Sequence, residues 1–116
     1  MNINDARKFQ KDLNGGLVGL VLLSSLDTAG EDLYGYELVK RLQRVQDGEL
    51  MFTESAVYPV LRSMAKRGLL TSRIVPSYSG PPRRYYRITS EGQAMLAGWC
   101  NIWRETRDFV DQFVTH

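Results

Sequence analysis

The chain's apolar residues fall into stretches of differing period, and each period names an element. From about Asp5 to Leu26, the residues Leu13, Leu17, Leu20, Val21 and Ser24 follow helical spacing, while Val18, Leu22 and Leu23 make the segment apolar on nearly every side. A helix of this kind must be covered all round. Gly15, Gly16 and Gly19 lower its propensity, so either the helix starts late or these positions admit another backbone.

After a loop from Asp27 to Asp32, the run LYGYELVKRLQRV sets Gly35, Leu38, Val39 and Leu42 on one face and Lys40, Arg41 and Arg44 outside it. This predicts a short amphipathic helix with Asp32 as its N-cap. QDGE, Gln46 to Glu49, reads as a turn. In FTESAVYPVLRSMAKRGLL, Thr53 is placed to cap a helix and Phe52 to staple against Val57. Val57, Val60, Leu61 and Met64 form its apolar stripe, and Gly68 ends it. The other side carries Ser55, Tyr58, Pro59, Arg62, Ser63, Lys66 and Arg67, with Pro59 expected to bend the axis.

Two β-type runs, Leu70 to Val75 and Arg84 to Ile88, flank PSYSGPPR, which predicts a hairpin with a stiff tip. Alternation puts Tyr85 and Arg87 on one face and Tyr86 and Ile88 on the other, with Tyr86 in the core. Ser90 and Gln93 have capping-box spacing, and one long helix runs from there to Val114. Two short helices followed by a hairpin is the order of a winged helix-turn-helix unit, a mostly α (α+β) fold. The expected division is a winged unit over residues 1–89 and a dimerisation helix over 90–116, together one compact body.

Composition narrows the chemistry. With 116 residues and 43% hydrophobic content the chain fits one domain. Cys100 is its single cysteine, which rules out an intramolecular disulfide and suits the cytoplasm. His116 is its one histidine, too little for a His-based metal site or a nucleophile with a positioned base. No metal, cofactor or catalytic role is therefore expected. The stretch from Gly16 to Leu26 follows Arg7, Lys8 and Lys11, the order of basic and apolar residues that a secretory leader also has. Asp5 and Asp12 among those basic residues, and an apolar core too short for a bilayer, argue for a buried helix instead.

Charge changes the picture more. The chain carries +2 overall, but residues 34–87 carry +6 and each flank carries −2. A basic module between acidic helices suits a polyanion. Ser55, Tyr58, Arg62 and Lys66 recur at spacings of three and four and so share one outward stripe. B-DNA's major groove admits one helix held by a second packed across it. Arg62 and Lys66 suit phosphates, whereas Ser55 and Tyr58, nearer the N-terminal end, suit base edges or sugar. Arg83, Arg84 and Arg87 can track the backbone or enter the minor groove, although charged strand edges also serve simply to discourage aggregation.

On the last helix, Leu96, Trp99, Trp103, Thr106, Val110 and Phe113 step by three and four, widened by Met95, Ile102 and Phe109. One small domain has little core left to cover such a stripe. Leu17 and Leu20 of the first helix, with Leu96, Trp99, Trp103, Val110 and Phe113, are therefore expected at a homodimer interface across a two-fold axis. The two tryptophans either pack there or line a pocket for a small aromatic or apolar effector, and both readings stay open.

Three ordered motifs carry a resemblance: YGYEL at Tyr34–Leu38, ESAVYPVLRSMAKRGLL at Glu54–Leu70, and GPPRRYYRIT at Gly80–Thr89 followed by Glu91 and Gly92. Together they resemble the PadR-like transcriptional regulators, in the short form with a single C-terminal helix. The chain departs from that pattern at Ala56 and at Met64–Ala65. The resemblance implies a dimeric, ligand-responsive repressor that binds an inverted-repeat operator in double-stranded DNA. It places the helix of Tyr58, Pro59 and Arg62 in the major groove, with the Gly80–Arg84 wing beside it. The expected DNA-facing set is then Tyr34, Lys40, Ser55, Tyr58, Pro59, Arg62, Lys66, Arg67, Gly80, Arg83, Arg84 and Arg87. A protein-binding adaptor is the alternative, since winged helices serve that purpose too.

Overall fold

A computed structural model describes residues 3–43, 45–46, 49–50 and 52–114. Its elements in chain order are α1 (Ile3–Ala29), β1 (Leu33–Tyr34), α2 (Gly35–Leu42), β2 (Val45–Gln46), β3 (Glu49–Leu50), α3 (Glu54–Lys66), β4 (Leu70–Val75), β5 (Arg83–Ile88) and α4 (Ser90–Val114). Strands β4 and β5 form the wing hairpin, and β1 adds to its outer edge to give a three-stranded antiparallel sheet in the order β1-β5-β4. This is the winged helix fold.

The first helix is continuous through its glycines. Gly15 and Gly16 face open space, and Gly19 meets the indole of Trp99 rather than a backbone; a β-carbon there would lie 3.6 Å from the ring. Val18, Leu22, Leu23 and Leu26 of α1 pack in the core with Leu38, Val39 and Leu42 of α2, Val57, Leu61 and Met64 of α3, and Tyr86 of the wing. Full burial of each such leucine stabilises the fold by about 1.5–3 kcal/mol. Leu96, expected at an interface, is buried in this same core. Helical spacing places a residue on a stripe but does not say which body covers it.

The start and stop of α3 follow the sequence. Thr53 caps it, its side chain accepting from the Ala56 N–H, and Phe52 and Val57 are both buried in the core. At the other end Gly68 has φ +81°. The Gly68 N–H donates to Ala65 C=O at 3.1 Å and the Leu69 N–H to Met64 C=O at 2.9 Å. That paired arrangement closes the helix with a left-handed residue.

Two local expectations are corrected. Asp32 does not cap α2, which begins at Gly35 with Tyr34 in the cap position and no side-chain cap bond; its carboxylate turns to the wing instead. Ser90 and Gln93 form no capping box. Thr89 is the cap of α4, its Oγ1 accepting from the Gly92 N–H at 3.0 Å, and the Gln93 amide donates to Asp27 at the end of α1. Around the expected QDGE turn, Val45 pairs with Leu50 and Gln46 with Glu49; Asp47 and Gly48 lie outside the described residues.

Thr89 also ties the ends of α3 and the wing together. Its hydroxyl donates to Gly68 C=O at 2.7 Å, and its N–H donates to Leu69 C=O at 3.1 Å. Gly92 packs directly on that turn. A β-carbon built on it would overlap the Leu69 carbonyl oxygen and come within 2.8 Å of Ile88 Cγ1. Neither neighbour is the free end of a flexible side chain.

Gly92→Ala is therefore expected to destabilise the fold by about 3 kcal/mol through forced overlap. Gly68→Ala, which meets open space but must keep a positive φ, should cost about 1 kcal/mol. Urea unfolding midpoints of the two variants would check both values and their order.

Candidate nucleic-acid interface

The candidate surface is built on α3. Its inner face, Val57, Leu61 and Met64, is fully buried, which fixes the helix about its axis and forces Ser55, Pro59, Arg62 and Lys66 outward, where all are exposed. Tyr58, at the edge of this stripe, is half-buried. Burial pushes its phenol above the ordinary tyrosine value, so it stays neutral and can donate as well as accept. Thr53, Glu54, Ser55, Tyr58, Pro59 and Arg62 line a shallow concavity at the N-terminal end of the helix. Arg67 lies about 120° around the axis from Ser55, toward a different groove.

Gly35 explains why the YGY sequence matters to this surface. A β-carbon there would sit 3.3 Å from the Tyr86 ring and 3.4 Å from the Tyr58 ring. The first helix of the pair thus approaches the second closely enough to seat Tyr58.

The wing presents two faces. Leu70, Tyr86 and Ile88 turn toward the core, whereas Arg73, Arg83, Tyr85 and Arg87 share the outer face with Tyr34 of β1, as the register requires. On that outer face the Arg83 guanidinium lies 5.0 Å from the Tyr34 ring centroid. Tyr34 packs at 5.8 Å against Tyr85 and at 6.1 Å against Tyr36. Arg73 sits over Tyr85 and Lys40 over Tyr36. These cation–π contacts orient the cations without neutralising them. Arg84 projects from the opposite face and donates to Ser72 Oγ at 3.0 Å. Gly80 is exposed at the hairpin tip.

Arg87 stands differently. Its Nε lies 2.5 Å from Asp32 Oδ1, and Arg73 Nε lies 2.6 Å from Asp32 Oδ2. Hydrogen bonds from Arg87 and then Arg73 hold the Asp32 carboxyl below its ordinary value. No local pattern hints at this pairing, because the partners are 41 and 55 residues apart.

A second concavity, of about 730 Å³, lies between α1, α3 and α4. Its walls include Leu17 and Leu20 of α1, Pro59, Val60 and Ser63 of α3 with Arg67 at its C-cap, and Trp99, Ile102 and Trp103 of α4. Beyond Cys100, every described residue of α4 is exposed, including Ile102, Trp103, Phe109, Val110 and Phe113. Among the described residues no group of three or more His, Cys, Asp or Glu could hold a metal ion, and no helix is long and apolar enough to cross a membrane.

The comparisons with known proteins agree with this geometry. The model of the family described as "Transcriptional regulator PadR-like family" matches residues 22–98, which span α2, α3, the wing and the start of α4. The chain belongs to the PadR-like family of transcriptional regulators. A PadR family regulator from Eggerthella lenta is 30% identical and superposes with a TM-score of 0.79, covering 97% of this chain and 94% of that one. A transcriptional regulator from Clostridium thermocellum is also 30% identical, with a TM-score of 0.75 over 90% of this chain and 96% of that one. An uncharacterized protein from Lysinibacillus sphaericus is 28% identical over 88% of this chain and 91% of its own length. PadR-like transcriptional regulators are DNA-binding proteins.

The lowered Asp32 pKa fixes the sign of a pH effect in this PadR-like chain. The stability contributed by the Asp32 pairs is fully present above the unfolded aspartate pKa of about 3.9 and is lost as pH falls through the lower folded value. The Tm difference between wild type and Asp32→Asn should therefore be constant from neutral pH down to about pH 5 and vanish in stronger acid. A difference that grew on acidification would contradict the assignment.

Proposed function

We propose that this chain is a sequence-specific, double-stranded-DNA-binding repressor that acts in the cytoplasm as a homodimer and responds to a small ligand. The observation that carries the DNA reading is the stripe of Ser55, Pro59, Arg62 and Lys66, exposed along a helix whose opposite face is fully buried. The helix is thereby held rigid with its donors outward, as entry into a major groove requires. Tyr58 and Ser55 meet base edges at the N-terminal end, while Arg62 and Lys66 neutralise phosphates. Arg83, Arg84 and the Gly80 tip follow the adjoining backbone or minor groove, and Tyr34 and Lys40 flank the same contact through the aromatic cluster.

The dimer reading rests on the exposed apolar face of α4. Fourteen described residues from Asn101 to Val114 project past the core, about 21 Å of helix, and carry Ile102, Phe109 and Phe113, each more than half exposed. A second copy covers this face best, because a two-fold arrangement lets the same stripe serve both partners. Leu17, Leu20, Trp99 and Trp103 lie at the edge of that contact. The effector reading rests on the adjoining groove, where an aromatic molecule on Trp99 and Trp103 would also touch Pro59 and Val60 of the reading helix.

Selection from a random duplex pool should return an inverted repeat whose half-sites lie about one helical turn apart. Arg62→Ala should weaken binding to all duplexes, whereas Tyr58→Ala should change site preference by about 1–3 kcal/mol per affected base pair. Unchanged affinity and preference in both variants would remove α3 as the reading helix.

Light scattering at micromolar concentration should give twice the chain mass. Phe109→Asp/Phe113→Asp should give a monomer that keeps its helix content. Aromatic compounds that neither quench tryptophan fluorescence nor loosen duplex binding would count against the effector.

A further inference from the structure

We propose that Asp32 is a positioning residue that offsets one of the two positive charges of Arg73 and Arg87, so that the wing presents less charge to DNA behind its tip and binds non-specific duplex less tightly. The inference rests on the DNA reading above and concerns a residue outside the expected DNA-facing set.

The geometry divides the wing's cations into two groups. Arg83 pairs with Val75 and Arg84 with Ile74 in the hairpin register, next to the turn. Their contacts are a tyrosine ring and a serine hydroxyl, which leave their full charge available. Arg73 and Arg87 lie further toward the base and on opposite strands, and one carboxylate takes both through separate oxygens. Asp32 is positioned for this by the two residues that follow it, since Leu33 and Tyr34 pair with Tyr86 and Tyr85 as the third strand of the sheet. Its side chain is only 21% exposed, against 64% and 56% for the arginines. Solvent therefore screens it less than an ordinary surface carboxylate.

Each guanidinium gives its Nε–H to this carboxylate, and the single negative charge offsets one of the two positive ones, so the three groups together release about one fewer phosphate counterion than two free arginines would. Without Asp32, two unpaired cations would stand on the outer face of a wing already carrying Arg83. Such cations contribute to every duplex alike and so erode the ratio of specific to non-specific binding. The two pairs also span β1, β4 and β5, which fixes the wing to the segment leading into α2.

The test is the salt dependence of binding to a duplex of unrelated sequence. For wild type, the slope of log K against log salt should reflect the tip arginines, α3 and one net charge from the Asp32 cluster. Asp32→Asn should steepen it by up to about 0.9, an extra loss of about threefold in affinity between roughly 50 and 200 mM salt, and should tighten binding at the low end. The double variant Asp32→Asn/Arg73→Gln, which restores the cluster's charge, should return the wild-type slope. An Asp32→Asn slope equal to wild type, or weaker binding without a steeper slope, would reduce Asp32 to a wing anchor and overturn the proposal. A double variant shallower than wild type by about 0.9 would overturn it as well, because both arginines would then contact phosphate despite Asp32. Arg83→Gln/Arg84→Gln separates this from failure of the DNA reading. It should make the slope shallower by up to about 1.8; no change there means the wing does not meet DNA, and the Asp32 inference falls with that reading.

Discussion

The rest of the structure depends on the approach of Gly92 to the Leu69 carbonyl. At that point α3 has just ended in the left-handed Gly68, the wing begins one residue later at Leu70, and α4 starts two residues before. Thr89 locks the three together with a hydroxyl that accepts from Gly92 N–H and donates to Gly68 C=O. The contacts here are backbone, one hydroxyl and the Ile88 side chain at its Cγ1, so no free side-chain end can flex to absorb a misfit. The direction of α3, the root of the wing and the heading of the last helix are set in one place.

The same economy governs the charged surface. Isolated surface ion pairs contribute little, and Lys8 with Asp12 on α1 is such a pair. Asp32 differs because it joins two cations from different strands and lies beside an aromatic cluster that orients Arg73 from the other side. Its effect is to lower the charge of the wing behind its tip, more than to add stability. Tyr34 and Tyr36 hold Arg83 and Lys40 by the ring face, which leaves their charge outward. A carboxylate and a tyrosine on the same sheet thus give neighbouring arginines opposite roles.

Much of this was legible in the sequence wherever the cause is local. The α3 stripe of Val57, Leu61 and Met64, the Thr53 cap and the Gly68 stop are all fixed by residues within one helix and its ends, and the hairpin by its Gly and Pro tip. The outward stripe of α3 follows directly from that same periodicity. What escaped the sequence has distant causes. Thr89 and Ser90 are both hydroxyl residues, and Thr89 takes the cap because its hydroxyl also reaches Gly68, 21 residues earlier. The two residues of β1 are too few to show a period, and Asp32 resembles any N-cap until β4 and β5 fold against it. Leu96 obeys the stripe of α4 yet lies where that stripe crosses the protomer's own core.

Seen as a lever, α4 gives the Gly92 junction its mechanical meaning. From Gly92 to Val114 the helix is about 33 Å long, so a tilt of about 10° at its root would swing the far end by roughly 6 Å. A glycine at such a fulcrum suggests looseness, but this one is wedged against a carbonyl and an isoleucine and behaves as a stop. The stiffness of a single crowded turn therefore sets how faithfully any displacement at the far end is transmitted to α3.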